Sequence, residues 1–121
     1  MKVQMFKAPA GLDDDLNWFS RAMLISKSDV IRRAITNLID YVKENGALPI
    51  TMYLPPGGTI AYSVRLNDNT LKELKEISEN LHAPMSMLIR VAILYFVELN
   101  RDKYKPYLGK KIIISFGGLS P

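Results

Sequence analysis

The sequence predicts an α+β protein, mainly α with short β segments, in which one small unit is written twice. Two observations carry this. First, "ISKSDVIRRAI" at 25–35 returns as "APMSMLIRVAI" at 83–93, an offset of 58 residues that superposes Ser28/Ser86, Ile31/Ile89, Arg32/Arg90, Ala34/Ala92 and Ile35/Ile93 as identical pairs. Second, each half has the same order of periodic segments, strand–helix–helix–strand, and a matched order of elements is the mark of an internal repeat. The 121-residue chain is 48% apolar and 23% charged, enough to bury a core and too apolar for a disordered chain.

"KVQMFK" at 2–7 alternates loosely between polar and apolar residues and reads as a short strand, which "APAG" at 8–11 interrupts. Asp13, Asp14 and Asp15 then open a helix over about 13–24. Acidic residues complement the positive end of the helix dipole, and Leu12, Leu16, Phe19 and Met23 make one apolar stripe. Ser26 stands where an N-cap belongs. Val30, Ile31, Ala34, Ile35, Leu38, Ile39 and Val42 follow at helical spacing, so a second helix is expected over 27–44, stopping before Gly46. "ITMYL" at 50–54 reads as a strand closed by "PPGG".

The second half repeats the order. "IAYSVRL" at 60–66 alternates cleanly, with Ile60, Tyr62, Val64 and Leu66 on one face and Ala61, Ser63 and Arg65 on the other. A helix capped by Asn67 or Asn69 turns Leu71, Leu74, Ile77 and Leu81 inward. Pro84 suits the first turn of the next helix, which carries Leu88, Ile89, Ala92, Ile93, Phe96 and Leu99. After a connector at 100–109, "IIISF" at 112–116 reads as a strand in the place "ITMYL" holds, at an offset that has drifted to 62. The expected organisation is a first unit over 1–46, a strand and linker over 47–59, a second unit over 60–100, and a connector and strand over 101–121, the two units forming one compact domain.

No run approaches the roughly 20 apolar residues of a membrane helix. The N-terminal residues lack the long apolar run and small-residue cleavage site of a signal peptide. With no cysteine, disulfide and thiolate chemistry are excluded and a cytoplasmic setting is expected. Catalysis finds little support. His82, the single histidine, falls in a turn between helices with no nucleophile and acid in evidence beside it. Three consecutive aspartates on a helix point in different directions and suit helix capping better than a cation. "PPGG" lacks the Lys and following helix of a phosphate loop. No enzyme activity, metal or cofactor is therefore expected. The net charge of +4 suits a polyanionic partner.

A short strand cannot satisfy its backbone alone. The equivalent strand of the other half is the natural partner, giving a two-stranded antiparallel ribbon with four helices on its inner face. Such a ribbon fits the major groove of duplex DNA. "YSVRLNDNTLKELKEISENLHAPMSMLIRVAILYF" (62–96) resembles the ribbon-helix-helix fold of the Arc/MetJ repressors and plasmid copy-number repressors, through its alternating strand, polar cap, Leu71/Leu74/Ile77 stripe, tight turn and second helix opening S-x-L-I-R-x-A. Residues 25–43 fit as well, with "SKSDVIRRAI" close to the family pattern S-x-S-x-x-I-x-x-A; the first strand and helix match in pattern only. Members of that family dimerise to build the ribbon. The resemblance implies that here both units lie in one chain as an intramolecular pseudo-dimer, with extra short strands after each unit, as in tandem members from conjugative plasmids and archaeal viruses.

It also implies a function: sequence-specific binding of double-stranded DNA by a transcriptional regulator, in a prokaryotic or virus-infected cytoplasm. Outward strand residues would read bases. In the second half these are Ala61, Ser63 and Arg65; Arg can bond guanine bidentately. In the first half two registers are open, one turning Lys2, Gln4 and Phe6 outward, the other Val3, Met5 and Lys7, because a one-residue slip inverts the face. The polar pair Lys2 and Gln4 favours the first. The start of each second helix would hold a phosphate: Ser26, Lys27 and Ser28 in one half, Met85, Ser86 and Met87 in the other. Arg32, Arg33 and Arg90 further along either touch phosphate or pair with acids such as Asp29. Unequal outer faces imply an asymmetric or imperfect inverted-repeat site. Two rival readings share the fold, a DNA-processing accessory factor and an antitoxin-like interaction module using residues 100–121. Self-association through Ile50–Leu54 and Ile112–Phe116 is a further expectation, since "IIISF" needs a β partner.

Overall fold

The structure, a computed structural model, describes residues 2–49 and 58–115, of which 102–115 by their backbone alone. In chain order the elements are β1 (Lys2–Ala8), α1 (Ala10–Met23), α2 (Lys27–Asn45), β2 (Ile60–Leu66), α3 (Asp68–Leu81) and α4 (Met85–Ser115). The class is α+β: among the described residues there are four helices and one two-stranded antiparallel sheet. Every boundary from β1 to the start of α4 recurs at the offset of 58.

Local chemistry explains where the helices begin and end. Ser26 caps α2, its Oγ accepting from the Asp29 N–H at 3.1 Å. Asn67 caps α3 in the same way, accepting from Thr70 N–H at 2.7 Å. Gly46 ends α2 at φ 69°, a left-handed conformation that glycine adopts without a Cβ penalty. The α1–α2 and α3–α4 turns match in detail. Leu24 (φ 58°) and His82 (φ 52°) are left-handed, and the hydroxyls of Ser20 and Ser78 donate to the carbonyls of Ile25 and Ala83. Helix α1 begins at Ala10, earlier than the aspartates suggest, because Pro9 stands at its N-cap and its carbonyl accepts from Leu12 and Asp13.

In the ribbon, Val3 lies opposite Arg65, Met5 opposite Ser63 and Lys7 opposite Ala61. Met5 and Ser63 are equivalent under the repeat, so the local twofold relation passes between them. On the inner face Phe6, Ala8, Val64 and Leu66 are buried, and the Phe6 and Tyr62 rings stack with centroids 5.5 Å apart.

The two units interlock. Helix α2 packs on β2 and α4 on β1, while α2 and α4 pack on each other at the centre. Ile31, Ile35, Leu38, Leu88, Ile89 and Ile93 are fully buried. Burying each such side chain is worth roughly 1.5–3 kcal/mol, and much of that burial exists only with both units present.

The expectation for the C-terminal segment changes. Residues 101–115 continue α4 instead of forming a connector and strand, so Ile112–Ser115 offers no strand for "ITMYL" to pair with. A run of β-branched residues reads equally as strand or helix, and a helix satisfies its N–H groups within the segment, with no partner strand. Ile50–Leu54, the other half of that expected pairing, lies outside the described residues, as does Phe116. Among the described residues, no single helix is long and apolar enough to cross a membrane.

Gly58 lies against the end of β1. A Cβ there would sit 2.0 Å from the Ala8 carbonyl carbon and 2.4 Å from Pro9 N. Backbone cannot yield as a flexible side chain can, so Gly58→Ala is expected to destabilise by about 1–3 kcal/mol, read as a lower urea midpoint at unchanged slope.

Candidate nucleic-acid interface

The strand alternation decides which residues the ribbon presents. Val3, Met5, Lys7, Ala61, Ser63 and Arg65 are all exposed on its outer face, and among the described residues no element covers them. Val3 is 57% and Met5 66% exposed, high values for apolar side chains. Lys7 and Arg65 are equivalent at the repeat offset, so each end of the ribbon carries one cation, set across the strands from a small apolar residue: Lys7 from Ala61, Arg65 from Val3.

Ser63 and Arg65 thus lie on the expected face, but Lys2 and Gln4 do not. They share the inner-face parity of Phe6 and Ala8, and the register with Val3, Met5 and Lys7 outward is the one formed. Burying the Phe6 ring outweighs exposing Val3 and Met5. Gln4 is half-buried, its Nε2 donating to the Met5 carbonyl at 3.1 Å. Lys2, at the strand's open end, lines a shallow groove with residues of α3, among them Asp68, Glu76 and Glu79. The repeat carried the signal that finds the register: at an offset of 58, Phe6 falls on Val64 and Ala8 on Leu66, both inward.

The starts of α2 and α4 flank the ribbon on opposite edges. At α2, Ser26 is exposed while Lys27 and Ser28 are half-buried. The Lys27 ammonium lies 5.3 Å from the centre of the Tyr62 ring. Tyr62 in turn donates its hydroxyl to the Asp13 carboxylate. At α4, Met85 packs partly on the core. Ser86 lines an open cleft with Met5, Phe6, Lys7, Ala61 and Arg90. The two starts differ in charge. Asp29 lies in the first turn of α2, whereas the first turn of α4 carries no acid. Arg32, through its hydrogen bond, and then Ser26 hold the Asp29 carboxyl below the usual carboxylate range.

Arg32 and Arg90 both turn to the ribbon. Arg32 donates through Nη1 to the Arg65 carbonyl at 3.2 Å and through Nη2 to Asp29 Oδ1 at 2.6 Å. Arg90 donates through Nη1 to the Lys7 carbonyl at 3.2 Å. Arg33 points to solvent. The three aspartates of α1 have separate surroundings: Asp13 binds Tyr62, Asp15 pairs with Arg101 at 2.8 Å and Asp14 is exposed. Burial, only partly offset by Arg101, raises the Asp15 carboxyl. His82 is an exposed helix C-cap.

Comparison with family models, with characterised proteins and with solved structures finds no match to this chain.

Burial, with the Asp13 hydrogen bond adding to it, pushes the Tyr62 phenol well above the ordinary tyrosine value. A raised pKa means that the folded state keeps a proton the unfolded chain gives up. The associated stability is therefore present below about pH 10 and is lost as pH rises beyond it. The wild type's resistance to denaturation should weaken over that range, and Tyr62→Phe should flatten the dependence.

Proposed function

We propose that this chain is a tandem ribbon-helix-helix protein, its two units forming an intramolecular pseudo-dimer, and that it binds double-stranded DNA sequence-specifically as a transcriptional regulator. One observation carries the reading: a two-stranded ribbon buried on one face and, among the described residues, uncovered on the other, with a cation at each end of the open face. A ribbon of this width enters the major groove, where each base pair has its own donor and acceptor pattern.

Arg65 and Lys7 are the residues suited to guanine O6 and N7. Val3, Met5 and Ala61 offer apolar contacts for thymine methyl groups, and Ser63 a hydroxyl for either base type. This set replaces Lys2 and Gln4. Phosphates on either side would meet the starts of α2 and α4, with Ser26, Lys27 and Ser28 on one edge and Met85 and Ser86 on the other. Because Met5 faces Ser63 across the local twofold, and Lys7 stands where the other half has Arg65, the target is an imperfect inverted repeat.

Selection of bound duplexes from a random pool tests the reading. Enrichment of such a repeat is expected; recovery of no motif would sink it. On the enriched duplex, Arg65→Ala should lose about 1–3 kcal/mol of discrimination at one base pair. Replacing thymine by uracil opposite Val3 or Met5 should weaken binding through the missing methyl group. Affinity should fall steeply with salt as counterions are released, and a salt-independent association would point to a partner other than nucleic acid.

A further inference from the structure

The arginines of the repeated I-R-x-A stretch each reach across to the other unit's strand. Arg32, on α2 of the first unit, holds the backbone carbonyl of Arg65 in the second; Arg90, on α4 of the second unit, holds the carbonyl of Lys7 in the first. The residues whose carbonyls are held are the two whose side chains project as the outer-face cations.

We propose that Arg32 and Arg90 are crossed positioning residues: each fixes the strand end that carries the other unit's base-reading cation. The inference rests on the DNA-reading function above, and its structural half stands apart from it. In a two-stranded sheet both strands are edges, with backbone groups facing outward along each and no further strand to hold them. A guanidinium is a planar, permanently charged fork able to serve two acceptors at once. Arg32 does so, spanning the Arg65 carbonyl and the Asp29 carboxylate. It thereby ties the ribbon end to the first turn of α2, at the proposed phosphate contact. Arg90 has no such acid, since Met87 stands where the first unit has Asp29. The Arg32 tether is therefore the stiffer of the two, and the Arg65 end of the ribbon the better placed for bidentate reading.

The test uses the full chain with Arg32→Ala, Arg32→Lys and Arg90→Ala. The Arg32 side chain is 33% exposed, so its removal leaves the core filled. Amide hydrogen exchange reads the structural half without DNA. Arg32→Ala should speed exchange at the Arg65 end of β2 and spare the Lys7 end of β1, Arg90→Ala should do the reverse, and Arg32→Lys, which keeps the charge and loses the fork, should resemble Arg32→Ala. Equal loosening of both strands, or none, overturns the proposal. Competition among single-base-pair variants of the enriched duplex reads the functional half. Arg32→Ala should cost about tenfold in discrimination at the pair that Arg65→Ala identifies, none at the pair that Lys7→Ala identifies, and add nothing to Arg65→Ala at its own pair. A uniform loss over all duplexes means a merely structural role and overturns it. Crossed exchange with no enriched duplex would leave the tethers standing and remove the DNA-reading function instead.

Discussion

The structure depends on the pairing of β1 with β2. Neither strand has another partner among the described residues, and a lone strand leaves its backbone groups to water. Their pairing joins segments nearly half the chain apart in sequence and sets where everything else goes. Phe6, Ala8, Val64 and Leu66 turn to one side and create the apolar surface on which the helices settle. Once α2 lies on β2 and α4 on β1, the units cannot be parted without opening the core. The halves are therefore cooperative by construction: the repeat supplies two copies of a unit that is incomplete alone.

The same pairing makes the outer face what it is. With the inner parity used up by the core, the remaining residues of both strands project together on a surface that no helix among the described residues covers. Its chemistry is nearly twofold at the ends, where Lys7 and Arg65 correspond, and unequal at the centre, where Met5 meets Ser63. The flanks are unequal too. The second unit's Tyr62, which stacks on Phe6, binds Asp13 and lies under the Lys27 ammonium, corresponds to Gln4 in the first unit. Asp29 corresponds to Met87. One edge is thus laced by polar and aromatic contacts, and the other is left as an open cleft beside Arg90. On the proposed reading these differences give the protein a direction on its target, which two identical chains could not have.

Much of the fold was legible in the sequence because the signals were local or repeated. The Ser26 cap, the Gly46 stop, the helical stripes and the alternation of "IAYSVRL" each act within a few residues. The offset of 58 announced that two such units stood in one chain. What was missed was not written within a few residues: it needed the comparison of the two halves or contacts made only in the fold. The polarity of Lys2 and Gln4 pointed outward, yet the parity of β1 is set by Phe6 packing on Tyr62, a contact across the ribbon. "IIISF" looks like a strand by composition, but residues 112–115 extend α4, since composition alone cannot separate the two. For Arg32 and Arg90 the sequence left phosphate and acid as the alternatives. Asp29 is indeed a partner of Arg32, while the bonds to the ribbon carbonyls follow from the crossing of units, which no local pattern encodes.

On the proposed reading, the open face of the ribbon reads DNA from the major groove. Methylation interference at guanine N7 tests it most directly, because N7 is an acceptor exposed only in that groove. Methylating guanines in both halves of the enriched site is expected to block binding, with the stronger block at the base pair read by Arg65. Binding indifferent to N7 methylation, but abolished by a ligand filling the minor groove, would contradict it.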